Sequence, residues 1–359
     1  MTTESSPATS ETLSTVRDLV LRHGWNATAY QILNPGFLRW FSAAGDAVVG
    51  YVPCAGYRVV AGAPICSHER LGAVVEEFEI ATKARGQRTC YFAADSRLAS
   101  QLERRGPLDR ILLGAQPVWN PGRWPEILEQ KASLRAQLNR ARNKRVRVTE
   151  WPASRADEHP KLHRCLEEWL ATRGLPPLHF LIEPETLGRL YDRRVFVAEQ
   201  EADVVGFLVA SPVPARRGWL IEQIIRGHRA PNGTTELLVD SAWSTLAAEG
   251  FEYVTLGLSP LSRRSGVEPP RQHLWLRGLL VWIRAHGLRF YNFDGLDAYK
   301  AKFVPDRWDP IWAITSERRV GLWTLYAIAE AFGKMSPVLL VGRALGRAVV
   351  KELEWLRQR

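Results

Sequence analysis

One order of elements occurs twice in this chain. Leu71 to Arg85 carries apolar residues at helical spacing, Gly86 closes the run, and Arg88 to Ala93 follows as a strand-like stretch. Thr235 to Glu249, Gly250 and Tyr253 to Leu258 repeat that order. The repeat fits an internal duplication, and it also fits two unrelated α/β domains. Either way the fold class expected is α/β (α+β) with two lobes, because 359 residues exceed what one hydrophobic core usually organises.

The rest of the chain is divided accordingly. Residues 1–24 read as a disordered leader followed by a short helix, Glu11 to His23, ended by Gly24. Short apolar runs such as Ala47 to Val52 and Tyr57 to Val60 read as strands and open a first lobe, 25–150, which ends in a basic helix. A second lobe is expected over 151–318, and C-terminal helices over 319–359. In the last of these, Arg343, Arg347 and Lys351 fall on one helical face beside Leu345 and Val349. That helix either lies amphipathically on an anionic membrane or packs on the domain with a solvated basic edge.

A formal charge of +10 calls for a polyanionic partner, and tRNA, an anionic bilayer and phosphorylated small molecules all qualify. Cys54, Cys66, Cys90 and Cys165 form no CxxC pair, so neither a zinc site nor a disulfide framework is indicated, and no metal is expected. No run of 18 apolar residues occurs, and the polar start lacks the regions of a signal peptide. The expected location is the cytoplasm, peripheral on the inner face of the cell membrane.

Three segments carry candidate chemistry. Pro125 opens a helix expected to run to about Asn143, and Lys131, Arg135, Arg140, Arg142, Lys144, Arg145 and Arg147 lie in its later part and just beyond, within an acid-free stretch. Phosphate binding explains such a run, and a solvated helix face is the plain alternative. Second, the strand-like Trp219 to Ile225 and Arg226 feed Ala230-Pro231-Asn232-Gly233-Thr234 into a helix, whose N-terminus can hold an anion or a developing oxyanion. Read plainly, Asn-Gly is a turn and Thr234 its cap. It is not a Walker loop, and no GxGxxG stands beside it. Third, Phe290 to Pro305 places Lys300 and Lys302 two residues apart among aromatics, which can desolvate one ammonium or present it to a phosphate.

Arg226 with Ala230 to Thr234, Leu256 to Leu261, and Tyr291-Asn292-Phe293 with Gly295-Leu296 and Tyr299 to Pro305 resemble, in that order, the catalytic domain of phosphatidylglycerol lysyltransferases. Leu134-Arg135 with Leu138-Asn139-Arg140 resembles that family's basic helix. The resemblance covers roughly residues 35 to 315. It implies two tandem acyltransferase lobes of the acetyltransferase (GNAT) type, a stand-alone synthase without the multispan flippase domain, and aminoacyl-tRNA as co-substrate with no other cofactor. Three positions depart from the pattern. Gln223, with Glu222 before it, stands where the family has Asp, while Asp297 and Ile311 stand where arginines are usual. The two lost cations open the acceptor to a different or neutral glycerolipid.

The reaction expected is transfer of an amino acid from tRNA to a hydroxyl of a membrane glycerolipid. Arg226, Lys300 and Lys302 are expected to stabilise a lipid phosphate or an oxyanion, and Asn232, Gly233 and Thr234 the same charge or the substrate backbone. Glu222 or Asp294 is expected to be the general base. Gln223, Tyr299, Arg135, Arg140, Arg142 and Lys144 complete the expected substrate contacts. Two alternatives stand beside this: an acetyl-CoA-dependent or Fem-like N-acyltransferase acting on a peptide or small amine, and a non-catalytic RNA- or membrane-binding protein. The sequence does not set the amino acid, the lipid or the oligomeric state.

Overall fold

The computed structural model describes residues 10–106, 109–172, 180–181, 186–268, 293–317 and 320–333. The basic tail with Arg343, Arg347 and Lys351, the leader, and Tyr291-Asn292 lie outside them.

Helix α1 (Ser10–His23) buries Val16, Leu19 and Val20, spaced for one helical face, and ends where Gly24 N–H donates to Val20 O at 2.8 Å. Strands β1 (Leu38–Phe41), β2 (Val48–Cys54) and β3 (Tyr57–Ala61) form an antiparallel meander. The β2–β3 turn is only Ala55-Gly56, both at positive φ (47° and 78°), the two-residue turn whose twist suits a hairpin. Helix α2 (Leu71–Lys83), buried along Leu71, Val74, Val75 and Phe78, then returns the chain to β4 (Arg88–Ala94), parallel to β3. Helix α3 (Ser96–Glu103), capped by Asp95, leads to β5 (Arg110–Trp119).

The next stretch departs from the expected single basic helix. Lys131 (φ −111°, ψ 83°) breaks it into α4 (Trp124–Gln130) and α5 (Ala132–Asn143). After β6 (Val146–Trp151), α6 (Ala153–Ala156) and α7 (Pro160–Ala171), the first motif recurs. Strands β7 (Arg194–Gln200), β8 (Asp203–Val213) and β9 (Gly218–Arg226) are antiparallel neighbours, and α8 (Thr234–Ala248) returns the chain to β10 (Tyr253–Thr255), parallel to β9. This repeated unit of three antiparallel strands, a crossover helix and a parallel fourth strand is the two-lobed α/β architecture expected. Strand β10 is shorter than the predicted Tyr253 to Leu258. The remaining elements among the described residues are β11 (Ser259–Pro260), α9 (Phe293–Ala301), β12 (Arg307–Thr315) and α10 (Leu322–Gly333).

Among the described residues all strands join one twelve-stranded sheet in the order β1-β2-β3-β4-β12-β5-β10-β9-β8-β7-β6, with β11 on β5. The lobes therefore interleave. Strand β12, from the end of the second segment, lies between β4 and β5 of the first, and β5 bonds to β10 of the second. The boundary expected at residue 150 does not follow this packing. β6 pairs with β7, and α5 buries Leu134, Leu138 and Ala141 in one cluster with Trp243 and Leu238 of α8, so the basic helix belongs to the second lobe. Trp119, Trp124 and Trp243 hold that seam, with ring centroids 4.8 and 4.9 Å apart and Trp124 Nε1 donating to Asp240 at 2.8 Å.

Candidate active site

β9 and β10 stay in register from Gly218–Tyr253 to Leu220–Thr255. There β10 ends. Leu256 to Leu258 lead across to β5, where Ser259 faces Ala115, while β9 continues along β8 to Arg226. The two parallel neighbours part at their carboxyl ends, the position at which α/β sheets usually bind ligands. A β-bulge sits at this level: Ala210 faces Ile221 and Val209 faces Gln223, so Glu222 is the extra residue. Bulges are frequent beside active sites because they re-aim a side chain.

Lys300, in the last turn of α9, reaches the diverging segment. Its Nζ donates to Gly257 O at 2.9 Å and Leu258 O at 2.8 Å, and the residue is only 5% exposed. Burial pushes its pKa down to about 7, against the pull of Asp297. Both of these acceptors are neutral carbonyls, so neither hydrogen bond compensates the ammonium's charge. The amine can therefore gain or lose a proton near neutrality, which suits acid–base work better than the expected phosphate contact.

A second constellation gathers at the start of α8. Gly233 (φ 94°) precedes the helix, and a Cβ there would lie 2.0 Å from Gln137 O of α5, so only glycine permits this approach. Thr234 Oγ1 donates to Pro231 O at 2.7 Å, and Arg226 Nη2 donates to Ala230 O (2.9 Å) and Asn232 Oδ1 (3.0 Å). Glu236, buried in the first turn, accepts from Thr235 Oγ1 at 2.9 Å and forms an ion pair with Lys302. Burial opposes this carboxylate, but Lys302 and the Thr235 hydroxyl more than offset it and hold its pKa below the ordinary value. The Lys302 ammonium also lies 3.8 Å from the Tyr299 ring centroid. Arg226, Asn232, Gly233, Thr234, Tyr299 and Lys302 are thus brought together. The anion expected at this helix end is replaced by the protein's own Glu236 and by α5 packed across Gly233. An open cradle for a pyrophosphate is not what these residues build.

Other expectations are corrected by the partners found. Glu222 pairs with Arg193 (Nε–Oε1 3.0 Å, Nη2–Oε2 3.4 Å), with side-chain exposures of 1% for Arg193 and 6% for Glu222. A carboxylate held bidentate by a buried guanidinium is a poor general base. Gln223 accepts from Thr186 Oγ1 at 3.1 Å, and Asp294 is exposed in the first turn of α9. Asp297, at a family arginine position, accepts from Arg264 Nε (2.6 Å) and Ser259 Oγ (3.2 Å), so a cation returns to that place from another segment. Ile311 is buried in β12.

On α5, Arg135 donates to Glu129 O at 2.6 Å and ties α4 to α5, while Arg142 pairs with Asp240 of α8 at 2.7 Å. Arg140, Lys144, Arg145 and Arg147 are exposed on the same stretch. The expected binding set thus divides into two structural arginines and a solvent-facing cationic edge. Sequence reasoning missed Glu236, Arg193 and Asp240. Of these only Glu236 carries a local signal, an acidic residue three positions after the helix-starting glycine, where a carboxylate favours the first-turn amides.

Residues 15–315 match the family model described as phosphatidylglycerol lysyltransferase, C-terminal. No curated protein sequence matches the chain significantly. The fold is similar to the C-terminal DUF2156 domain of a candidate lysylphosphatidylglycerol synthetase from Agrobacterium fabrum, at 23% identity over 90% of this chain and 97% of that one (TM-score 0.74). It is also similar to L-PGS from Bacillus licheniformis, at 18% identity over 89% and 96% (TM-score 0.72). A conserved protein of unknown function from Bacteroides thetaiotaomicron follows at 12% identity over 88% and 100% (TM-score 0.61).

Proposed function

The chain belongs to the phosphatidylglycerol lysyltransferase C-terminal family, a family of transferases, and from that premise we propose that it moves an amino acid from aminoacyl-tRNA to a hydroxyl of a membrane glycerolipid. The observation that carries the reading beyond the family is Lys300, a buried amine poised near neutrality beside the split between β9 and β10.

In the proposed reaction the lipid hydroxyl attacks the carbonyl of the ester joining the amino acid to the tRNA 3′ end. Neutral Lys300 keeps two N–H groups on Gly257 O and Leu258 O and takes the hydroxyl proton on its lone pair. A new carbon–oxygen bond to the lipid forms as the bond to the ribose oxygen breaks, and the ribose oxygen recovers the proton from Lys300. An activated ester needs mainly positioning, and no covalent enzyme intermediate is required. The exposed cations Arg140, Lys144, Arg145 and Arg147 serve tRNA phosphates. The reading places the protein peripherally at the inner membrane face, where a lipid acceptor and cytoplasmic tRNA meet; among the described residues no helix is long and apolar enough to cross a membrane.

The competing acetyl-CoA reading has less support, because α8 begins against α5 and carries its own carboxylate where a pyrophosphate would need free amides. Mass spectrometry of lipids from a heterologous bacterium expressing the wild type or Lys300→Ala tests the proposal. A new aminoacylated lipid with the wild type alone supports it. No new lipid from abundant folded wild-type protein contradicts it.

A further inference from the structure

Two side chains of α9, Asp297 and Lys300, stand three residues apart and so share one helical face. Both are held by one short stretch, Gly257 to Arg264. Lys300 Nζ donates to the carbonyls at its start, Gly257 O and Leu258 O. The Asp297 carboxylate accepts from its later side chains, Ser259 Oγ at 3.2 Å and Arg264 Nε at 2.6 Å, and from the Ser262 hydroxyl. The backbone is bent to allow this. Leu261, at a φ of 59°, donates to Leu113 O of β5 at 2.7 Å, and Arg264 N–H donates to Ser262 Oγ at 3.3 Å. The Arg264 guanidinium also lies 5.5 Å from the Trp308 ring centroid, which keeps it between β12 and α9. Asp297 thereby fixes the place of the two carbonyls that aim the Lys300 amine.

Charge acts alongside these hydrogen bonds. Burial opposes ionisation of Asp297, but Ser262, Arg264 and Ser259 more than offset it, so the carboxylate is charged at neutral pH. Among the described residues it is the charge that acts on Lys300, and it favours the ammonium. Arg264 brings the opposite charge to the same carboxylate and cancels part of that pull. Neighbouring charges are engaged elsewhere or face solvent. Glu236 of α8 pairs with Lys302, Asp309 of β12 with Arg307, and Asp306 with Arg123, while Arg263 and Asp294 are exposed. Burial pushes the Tyr299 phenol up, so it stays neutral, and neither β11 nor Leu113 to Val118 of β5 carries a charged side chain.

We propose that Asp297 and Arg264 are a positioning pair for Lys300: Asp297 holds the Gly257–Arg264 stretch so that its carbonyls orient the amine, and Arg264 limits the negative charge that the amine feels. The role rests on the transfer reaction proposed above. The control of the amine's charge can be read without substrate.

Transfer rate against pH is measured for the wild type, Asp297→Asn, Arg264→Gln and the surface control Arg164→Gln. Unfolding free energy against pH is measured for each beside its Lys300→Met counterpart, which isolates the stability rise that Lys300 contributes above its folded pKa. In Asp297→Asn the unopposed Arg264 disfavours the ammonium, so the rate midpoint and the onset of that rise both move to lower pH, by about half a pH unit or more. In Arg264→Gln both move to higher pH by a similar amount. Arg164→Gln removes the same charge at a distant surface and leaves both in place. A purely structural pair would lower stability without moving either midpoint. Arg264 is 46% exposed, so Arg264→Gln carries the test should Asp297→Asn fail to fold. Movement of the two variants in the same direction, or no movement with Arg264→Gln, overturns the proposal. Opposite movement of the stability onsets in proteins that transfer nothing supports the pair's control of Lys300 and overturns the proposed reaction instead.

Discussion

Arg193 and Glu222 face one another as a buried bidentate pair at 3.0 and 3.4 Å, joining the loop before β7 to the bulge of β9. Arg193 also donates to Asn34 Oδ1 at 2.9 Å and covers the Tyr30 ring at 4.8 Å, so the pair fastens the first lobe to the second.

Removing one member strands a buried charge. Glu222→Ala is expected to lower unfolding free energy by about 3–5 kcal/mol, while the double change Arg193→Met, Glu222→Met recovers most of that loss. Chemical denaturation of the three proteins checks this. Recovery of stability by the double variant marks the pair as structural, and its failure would return Glu222 to consideration as a reacting group.

Lys300 carries a pH signature in both rate and stability. The base must be neutral, so the transfer rate should rise with pH through about 7, and Lys300→Ala should lower it by about 100- to 10,000-fold. The folded pKa is depressed below the unfolded value. Between about 7 and the ordinary lysine value near 10.4, the unfolded chain therefore binds more protons, and wild-type stability should rise across that window. Lys300→Met should remove this dependence and show its largest relative gain in stability below pH 7. Rate and melting profiles of wild type and variant separate the two effects.

Gly233→Ala combines a φ of 94° with a contact of 2.0 Å to Gln137 O. The strained backbone alone is expected to cost about 1–3 kcal/mol, with the displacement of α5 in addition. Hydrogen exchange should show faster opening of the α5–α8 seam while the β2–β3 hairpin keeps its protection.

The cationic edge of α5 should separate by function. Arg140→Gln with Lys144→Gln is expected to weaken tRNA binding and flatten its salt dependence by about 0.7–0.9 per lost phosphate contact, with little change in stability. Arg142→Gln should instead lower stability through Asp240. Binding isotherms at several salt concentrations, beside melting curves, distinguish the two classes.

Local order was legible in the sequence. The α1 stop at Gly24, the β3–α2–β4 and β9–α8–β10 units and the turn at Asn232-Gly233 all follow from periodicity and glycine placement. What sequence could not supply is pairing across long separations. β12 enters between β4 and β5 through contacts 189 to 225 residues apart, and no local pattern encodes that choice. The same limit explains the site: Glu222 was visible as an acid and Lys300 as a cation among aromatics, but their partners Arg193 and the Gly257 and Leu258 carbonyls come from other segments. The break at Lys131 was missed because α4 and α5 both read as helical, and only the packing of Leu134 and Leu138 against α8 turns the axis.

The most direct test of the account follows radiolabelled amino acid from defined aminoacyl-tRNA into chloroform-extractable lipid, with purified protein, phosphatidylglycerol or neutral glycerolipid vesicles, and Lys300→Met alongside. The account predicts label in lipid that depends on intact tRNA and rises with pH through about 7 in the wild type, and at least a hundredfold loss in the variant. Undiminished transfer by Lys300→Met contradicts the role given to that amine, and no transfer from any aminoacyl-tRNA to either lipid contradicts the proposed reaction.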